Sequence, residues 1–173
     1  GSVTTSATSY VYQPDLLIKS PNEIIYLGDG IYNDSAAGQK ITLYLYPKIP
    51  VSCYLLLKNS AVSSDTIRLF GSTTGTELSV RYYDTRTNQQ VYPTGLCPNC
   101  TGFSFAIPAL DSKEIKLELT ASDLVTQTQF ELNLKITSEN DVSKTDMAKF
   151  IFILDLTYNR GEQAHGAFSP NRD

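Results

Sequence analysis

The chain has 173 residues, 41% of them hydrophobic, a formal net charge of −4 and a pI near 5.0. That length holds one ordinary domain with a tail or two, and is short for two full domains. The acidic balance offers no basic stripe to displace phosphate counterions, which argues against nucleic acid as a partner, and no run approaches the roughly 18–20 apolar residues of a membrane span.

The longest apolar run, Phe150–Leu154, is of single-strand length, and the 11 Tyr and 7 Phe favour strands over helices. The sequence opens at Gly1 with neither Met nor an apolar leader, so a removed signal peptide and a Gly1-Ser2 tag remnant both stay open. Abundant Thr, Ser, Asn and Tyr, with no Trp, one Met and one His, give the look of a secreted structural protein. The expected location is extracellular or at the cell surface.

Residues 1–13 (GSVTTSATSYVYQ) are small and polar until Tyr10, Val11 and Tyr12. They read either as a free terminus or as an extended arm that pairs with another subunit. Pro14 introduces a first strand over Asp15–Lys19, Pro21-Asn22 turns, and Glu23–Leu27 reads as a second strand ending at Gly28-Asp29-Gly30. The polar stretch Ile31–Gln39 is a loop. Lys40–Tyr46 alternates Ile41, Leu43 and Leu45 with Thr42, Tyr44 and Tyr46, and Pro47 and Pro50 then force a bend. Val51–Lys58 follows with Val51, Cys53, Leu55 and Leu57 on one face. Thr66–Phe70, Leu78–Tyr83, Gln89–Tyr92 and Phe103–Ile107 read as further short strands.

The clearest pattern lies between Ser112 and Thr137. Ile115, Leu117 and Leu119 alternate with Glu114, Lys116 and Glu118, and Phe130, Leu132, Leu134 and Ile136 alternate with Glu131, Asn133 and Lys135. Period two gives each strand one dry and one wet face. The polar connection Ala121–Gln129 is longer than a tight turn, so the two strands either pair directly or lie in opposite sheets joined by a Greek-key corner. Met147–Tyr158 is apolar on both faces in its middle, as expected of a strand central in a sheet or covered by a partner. About ten short strands with turns between them, and no helical periodicity, predict an all-β sandwich of antiparallel strands.

The order PDLLIKS, YLGDGIYN, GQ, YLLLKNSAVSSDTIRLFGS, VRYYD, FAIPALDSKEIKLELTAS and FELNLKITSENDVSKTDMAKF resembles the immunoglobulin-like modules of large bacterial cell-surface and secreted proteins. More distantly it is similar to the sandwich modules that accompany glycosidases. Asn59, Ser64-Asp65-Thr66, Tyr82-Tyr83-Asp84 and Ala109–Glu114 stand where those families carry their turn and strand motifs. The resemblance covers about residues 14–157 and implies an immunoglobulin-like fold more than a function. Asp111 stands where glycine is usual, and the aromatic last strand and residues 159–173 lie outside the pattern. The expected organisation is an arm over 1–13, a sandwich over 14–158 and a tail over 159–173.

Cys97-Pro98-Asn99-Cys100 is the sharpest local motif. It sits between β segments with no helix to lower a thiol pKa, and zinc needs about four ligands where the chain offers only Cys53 and the distant His165 in addition. A structural disulfide between Cys97 and Cys100 is therefore expected, with metal and redox chemistry as rivals, and no metal or other cofactor is assigned. Cys53 alternates with Val51 and Leu55 and reads as a buried thiol. Asn33-Asp34-Ser35 and Asn99-Cys100-Thr101 match the N-glycosylation sequon, making Asn33 and Asn99 candidate acceptors. Asp29, Asn33 and Asp34 could offer oxygens to calcium but lack EF-hand spacing; a solvated acidic loop is the plainer reading.

Catalysis finds little support. The single His165 lies in a Gly/Ser/Pro-rich tail, which disfavours a Ser-His-Asp arrangement. Acids such as Glu114, Glu118 and Glu131 alternate on wet strand faces. The sequence thus points to a non-enzymatic extracellular protein that self-assembles into a filament or layer by strand addition, with Tyr10–Tyr12 as the pairing arm. The rival is a carbohydrate-binding or spacer module, for which Tyr44, Tyr46 and Tyr54 are the stacking candidates. Alkylation under denaturing, non-reducing conditions followed by mass spectrometry should label one cysteine, Cys53. Label on all three, or a bridge that includes Cys53, would contradict the disulfide assignment.

Overall fold

The computed structural model describes residues 11–71, 77–93 and 103–155. These form ten strands: β1 (Pro14–Lys19), β2 (Lys40–Leu45), β3 (Val51–Asn59), β4 (Asp65–Gly71), β5 (Leu78–Asp84), β6 (Gln90–Val91), β7 (Ser104–Ile107), β8 (Ser112–Ala121), β9 (Gln129–Ser138) and β10 (Thr145–Leu154). They make two five-stranded sheets in the orders β1-β3-β8-β5-β6 and β2-β10-β9-β4-β7. Every pairing is antiparallel except β2 with β10, which is parallel.

The period-two pattern decides the layering. Ile115, Leu117 and Leu119 of β8 and Phe130, Leu132, Leu134 and Ile136 of β9 are all buried, and both sets face one core. β8 and β9 nevertheless belong to different sheets. Of the two arrangements open to that pair, the crossing between sheets is the one adopted. The two-proline bend does the same job earlier in the chain: β2 and β3, on either side of Pro47 and Pro50, also lie in different sheets. β10 is central, between β9 and β2, with Ala148, Phe150 and Phe152 in the core and Ile151 and Ile153 half-buried on the outer face.

Asn59 and the following turns close one end of the sandwich. Its amide group donates to the carbonyls of Ser63 (2.8 Å), Ile107 (3.1 Å) and Pro108 (3.1 Å), and its carbonyl accepts from the Ala61 N–H at 3.1 Å. In the turn before β8 the left-handed backbone falls on Leu110 (φ 60°). Asp111 instead accepts the Asn59 N–H at its backbone carbonyl and the Ser112 N–H at its side chain. The turn therefore tolerates aspartate where a glycine was expected.

One expected strand is missing. Glu23–Leu27 forms no ladder; it touches β1 through a single bridge, Ile18 with Leu27, and leaves Ile24 92% and Ile25 81% exposed. The reason lies in β1, whose outward backbone groups at Leu16 are already taken by side chains, so only Ile18 is free to pair. The expected extension of the last strand to Tyr158 passes beyond the described residues, as do residues 159–173.

Replacing Leu117 or Leu132 with Ala should cost about 2–5 kcal/mol in chemical denaturation, as for other fully buried leucines. Lys116→Ala, on the wet face of the same strand, should cost roughly 0.5 kcal/mol or less. Equal losses at both positions would contradict a sheet with one dry face.

Candidate functional site

The two sheets end side by side, one at β1 and the other at β2, and the chain treats these edges differently. At β1 the edge is sealed by a buried carboxylate. Asp146 shares the inward face of β10 with Ala148 and Phe150 and is fully buried. Its Oδ2 accepts the Leu16 N–H at 2.7 Å and the Gln39 Nε2 at 3.0 Å; its Oδ1 accepts the N–H groups of Asn33 (3.1 Å) and Met147 (2.9 Å). Gln39 also donates to the Leu16 carbonyl at 2.8 Å. Both outward backbone groups of Leu16 are thus satisfied by side chains, and those of Ile18 by Leu27. The outward groups of Leu16 and Ile18, in the middle of β1, are therefore not available to another strand.

The loop from Gly28 to Gln39 is shaped to deliver these groups. Gly28 has φ +113°, and a Cβ there would stand 2.9 Å from Gln39 Nε2 and 3.0 Å from the Leu16 carbonyl, so only glycine fits. Asn33 folds the loop on itself: its Oδ1 accepts from Ser35 and Ala37, and its Nδ2 donates to the Ala37 carbonyl and to Gln39 Oε1. The amide that a glycan would modify therefore makes two internal bonds, and N-linkage would remove one hydrogen from it. Asn99, the other sequon, and the Cys97–Cys100 pair lie outside the described residues. Cys53 is a buried free thiol whose pKa burial pushes up to about 12.

A second carboxylate, Asp15, sits beside the first. Its Oδ2 accepts from the Gly30 N–H at 3.1 Å and the Ser60 hydroxyl at 3.3 Å, with Lys58 Nζ 3.9 Å away. Burial is the largest influence and raises its pKa to about 6; the Gly30 N–H and Lys58 act against it, and the Asp146 charge adds to it. Burial also raises Asp146, against its four donors. Asp29 is bound to Lys58 at 2.5 Å, so a lysine holds the place where a calcium ion was considered. Among the described residues no cluster of three or more His, Cys, Asp or Glu could hold a metal.

Among the described residues no strand pairs with the far side of β2. The Gln39 carbonyl accepts the Lys149 N–H and the Leu45 carbonyl the Asp155 N–H, each at 2.9 Å. In a parallel ladder alternate residues bond to the neighbour, so Ile41 and Leu43 face β10 with their backbone groups while Thr42 and Tyr44 present theirs outward. Tyr44 is 62% exposed. Beside this edge runs a groove lined by Ile25, Tyr26 and Leu27 on one side and Ile41 and Leu43 on the other. Tyr26 is fixed there: its hydroxyl donates to Glu114 and the Lys19 ammonium lies 4.5 Å from its ring centroid. Among the described residues the remaining edges are blunter. β6 has two residues, and β7 has four with Pro108 directly after it.

The three tyrosines considered for sugar stacking do not share a face. Tyr44 lies on the outer face of β2 and Tyr46 follows the end of that strand, whereas Tyr54 lies on the outer face of the other sheet, its ring centroid 4.9 Å from the Lys19 ammonium. Of the expected pairing arm, Val11 is exposed and Tyr12 half-buried, and Tyr10 lies outside the described residues. Sequence reasoning overlooked Asp146, although its parity with Ala148, Phe150 and Phe152 marks an acid on a dry face.

No family model and no curated protein matches the chain. Among solved structures, a family 123 glycoside hydrolase from Clostridium perfringens is similar over 83% of this chain, with 6% identity and a TM-score of 0.54. That match takes in only 28% of the hydrolase. A FixG-related protein from Vibrio parahaemolyticus is similar over 83% of this chain and 97% of its own (12% identity, TM-score 0.46). A human ASH/PapD-like domain is similar over 90% and 95% (8% identity, TM-score 0.45). The fold is an all-β sandwich of two five-stranded, mostly antiparallel sheets.

The two raised carboxyls give stability a definite pH dependence. Between the ordinary value of 3.8 and about 6 the folded chain holds protons that the unfolded chain has released. Unfolding then releases protons, so stability should rise as pH falls from 7 to about 4.5. Asp84 works the other way: burial raises it, but Lys113 and the Arg86 N–H outweigh burial and lower it, so its effect falls below its ordinary value of 3.8. Thermal melts should show Tm higher at pH 5 than at pH 7, with a smaller difference in Asp15→Asn. A Tm that falls over that interval would contradict the assignment.

Proposed function

We propose that this chain is a non-catalytic structural module, a subunit of an extracellular filament or layer whose members join by strand addition at β2. The observation that carries this is the contrast between two adjacent edges. A free row of N–H and C=O groups invites pairing, and folded proteins normally blunt it. This chain commits a buried aspartate, a glutamine and a shaped loop to closing β1, and among the described residues nothing pairs with the next edge. After Lys40 the strand runs Ile-Thr-Leu-Tyr-Leu, uncharged and rich in strand-forming residues, without proline or bulge. A strand added there gains main-chain bonds at Thr42 and Tyr44 and places alternate side chains into the groove beside Ile41 and Leu43.

The rival role, a carbohydrate-binding module, would need a shared aromatic platform, and Tyr44 and Tyr54 are on opposite sides of the sandwich.

Tyr44→Pro tests the proposal. The Tyr44 N–H points away from β10, and proline is tolerated on an outward-facing edge position. The variant should keep the far-UV spectrum and thermal transition of the folded chain but sediment as a monomer where the unaltered protein forms larger species. Undiminished association of a folded Tyr44→Pro variant would overturn it.

A further inference from the structure

Resting on the reading of β2 as an acceptor edge, we infer that its occupant is the N-terminal segment of a second copy, residues 3–11, added parallel to β2 so that copies stack along the strand axis. Three placements lead there.

The first is direction. Leu16 of β1 is bonded to Asp146 at the start of β10, while the segment after β1 lines the groove with Ile41 and Leu43, which pair with Phe150 and Phe152 further along β10. β1 and β10 therefore advance in the same sense, and β2, parallel to β10, advances with them. The second is position. Gln13 is held at the other end of β1, where its carbonyl accepts the Ser60 N–H at 2.9 Å and Val11 is 56% exposed. Donor root and acceptor groove thus lie at opposite ends of the same side of the sandwich. A segment that continues the line of β1 backward runs away from its own groove and toward the groove end of a copy placed below. It enters that groove in the same sense as β2.

The third is composition. Residues 3–11 carry no charge and no proline, and Val3, Thr5, Ala7, Ser9 and Val11 share one parity. Residues paired beside Thr42 and Tyr44 face outward with them, so the alternate set faces the groove. The small and apolar parity suits the cleft between Ile25, Leu27, Ile41 and Leu43, and leaves Thr4, Thr8 and Tyr10 on the solvent side. At about 3.3 Å per residue, nine residues reach roughly 30 Å, more than the length of the six-residue β2. Donor and acceptor are different surfaces, so the contact is heterologous and propagates.

The test uses full-length chains. In the double variant Ala7→Pro/Thr8→Pro, one of the two lost N–H groups faces β2 whatever the register, and the folded domain is untouched. It should remain monomeric at concentrations where the unaltered chain assembles, and mixing it with unaltered chain should cap growing ends by its intact acceptor edge. A photocrosslinking residue at position 3 should be captured near Ile41 and Thr42 of the neighbour, and one at position 9 nearer Leu45. The opposite order would overturn the parallel geometry. Assembly that survives Ala7→Pro/Thr8→Pro but is lost in Tyr44→Pro would overturn the arm as occupant while leaving the edge. A chain that is monomeric at every concentration would overturn both.

Discussion

One buried carboxylate, that of Asp146 in β10, ties the edge of one sheet to the other. Asp146 receives four hydrogen bonds, two at each oxygen, from three separate parts of the chain: β1, the Gly28–Gln39 loop and its own strand. Four donors converging on one side chain suit an ionised acid, which is acceptor-only; an amide in its place would set an NH2 group against two of them. Burial resists the charge and the donors sustain it. Removing either side of that balance leaves buried polar groups without partners, which costs more than the bonds themselves contribute.

This interaction also organises the edges. Because Asp146 and Gln39 occupy the outward groups of Leu16, β1 cannot pair further there, and the segment Ser20–Leu27 arches beside it instead of joining the sheet. The arch forms one wall of a groove, and β2 forms the other. The seal on β1 and the groove beside β2 are thus outcomes of a single arrangement. The hydrogen bond from Tyr26 to Glu114 pins the arch across the outer face of the first sheet, over the row that joins Leu17, Leu56 and Glu114, and Leu17 is buried although it points away from the core.

Much of the fold was legible in the sequence because burial in a sandwich follows parity. Leu117, Leu132, Leu134 and Phe150 are buried as their alternation requires, and the two prolines after Tyr46 mark a change of sheet. Parity says nothing about partners, however. It left open whether β8 and β9 pair or oppose, and it made Glu23–Leu27 a strand because Ile24 and Ile25 are good strand formers. That segment failed for want of a free backbone edge, a long-range property set by Asp146, more than a hundred residues away. The candidate site was hidden for the same reason. An open edge is defined by which strand lies next to which, and the parallel pairing of β2 with β10 joins segments that no local pattern connects.

That pairing has a consequence in time. Leu16 and Asp146 are 130 residues apart, and β2 has no partner among the described residues other than β10. A chain emerging N-terminus first, at about 5–20 residues per second, exposes both early edges for on the order of ten seconds before the strand that completes them is made. During that interval Ile41–Tyr46 is an uncharged, strand-prone segment with both of its sides unpaired. Only β10, the last of the described strands, covers one of those sides, so the segment keeps both edges unpaired until that strand has been made.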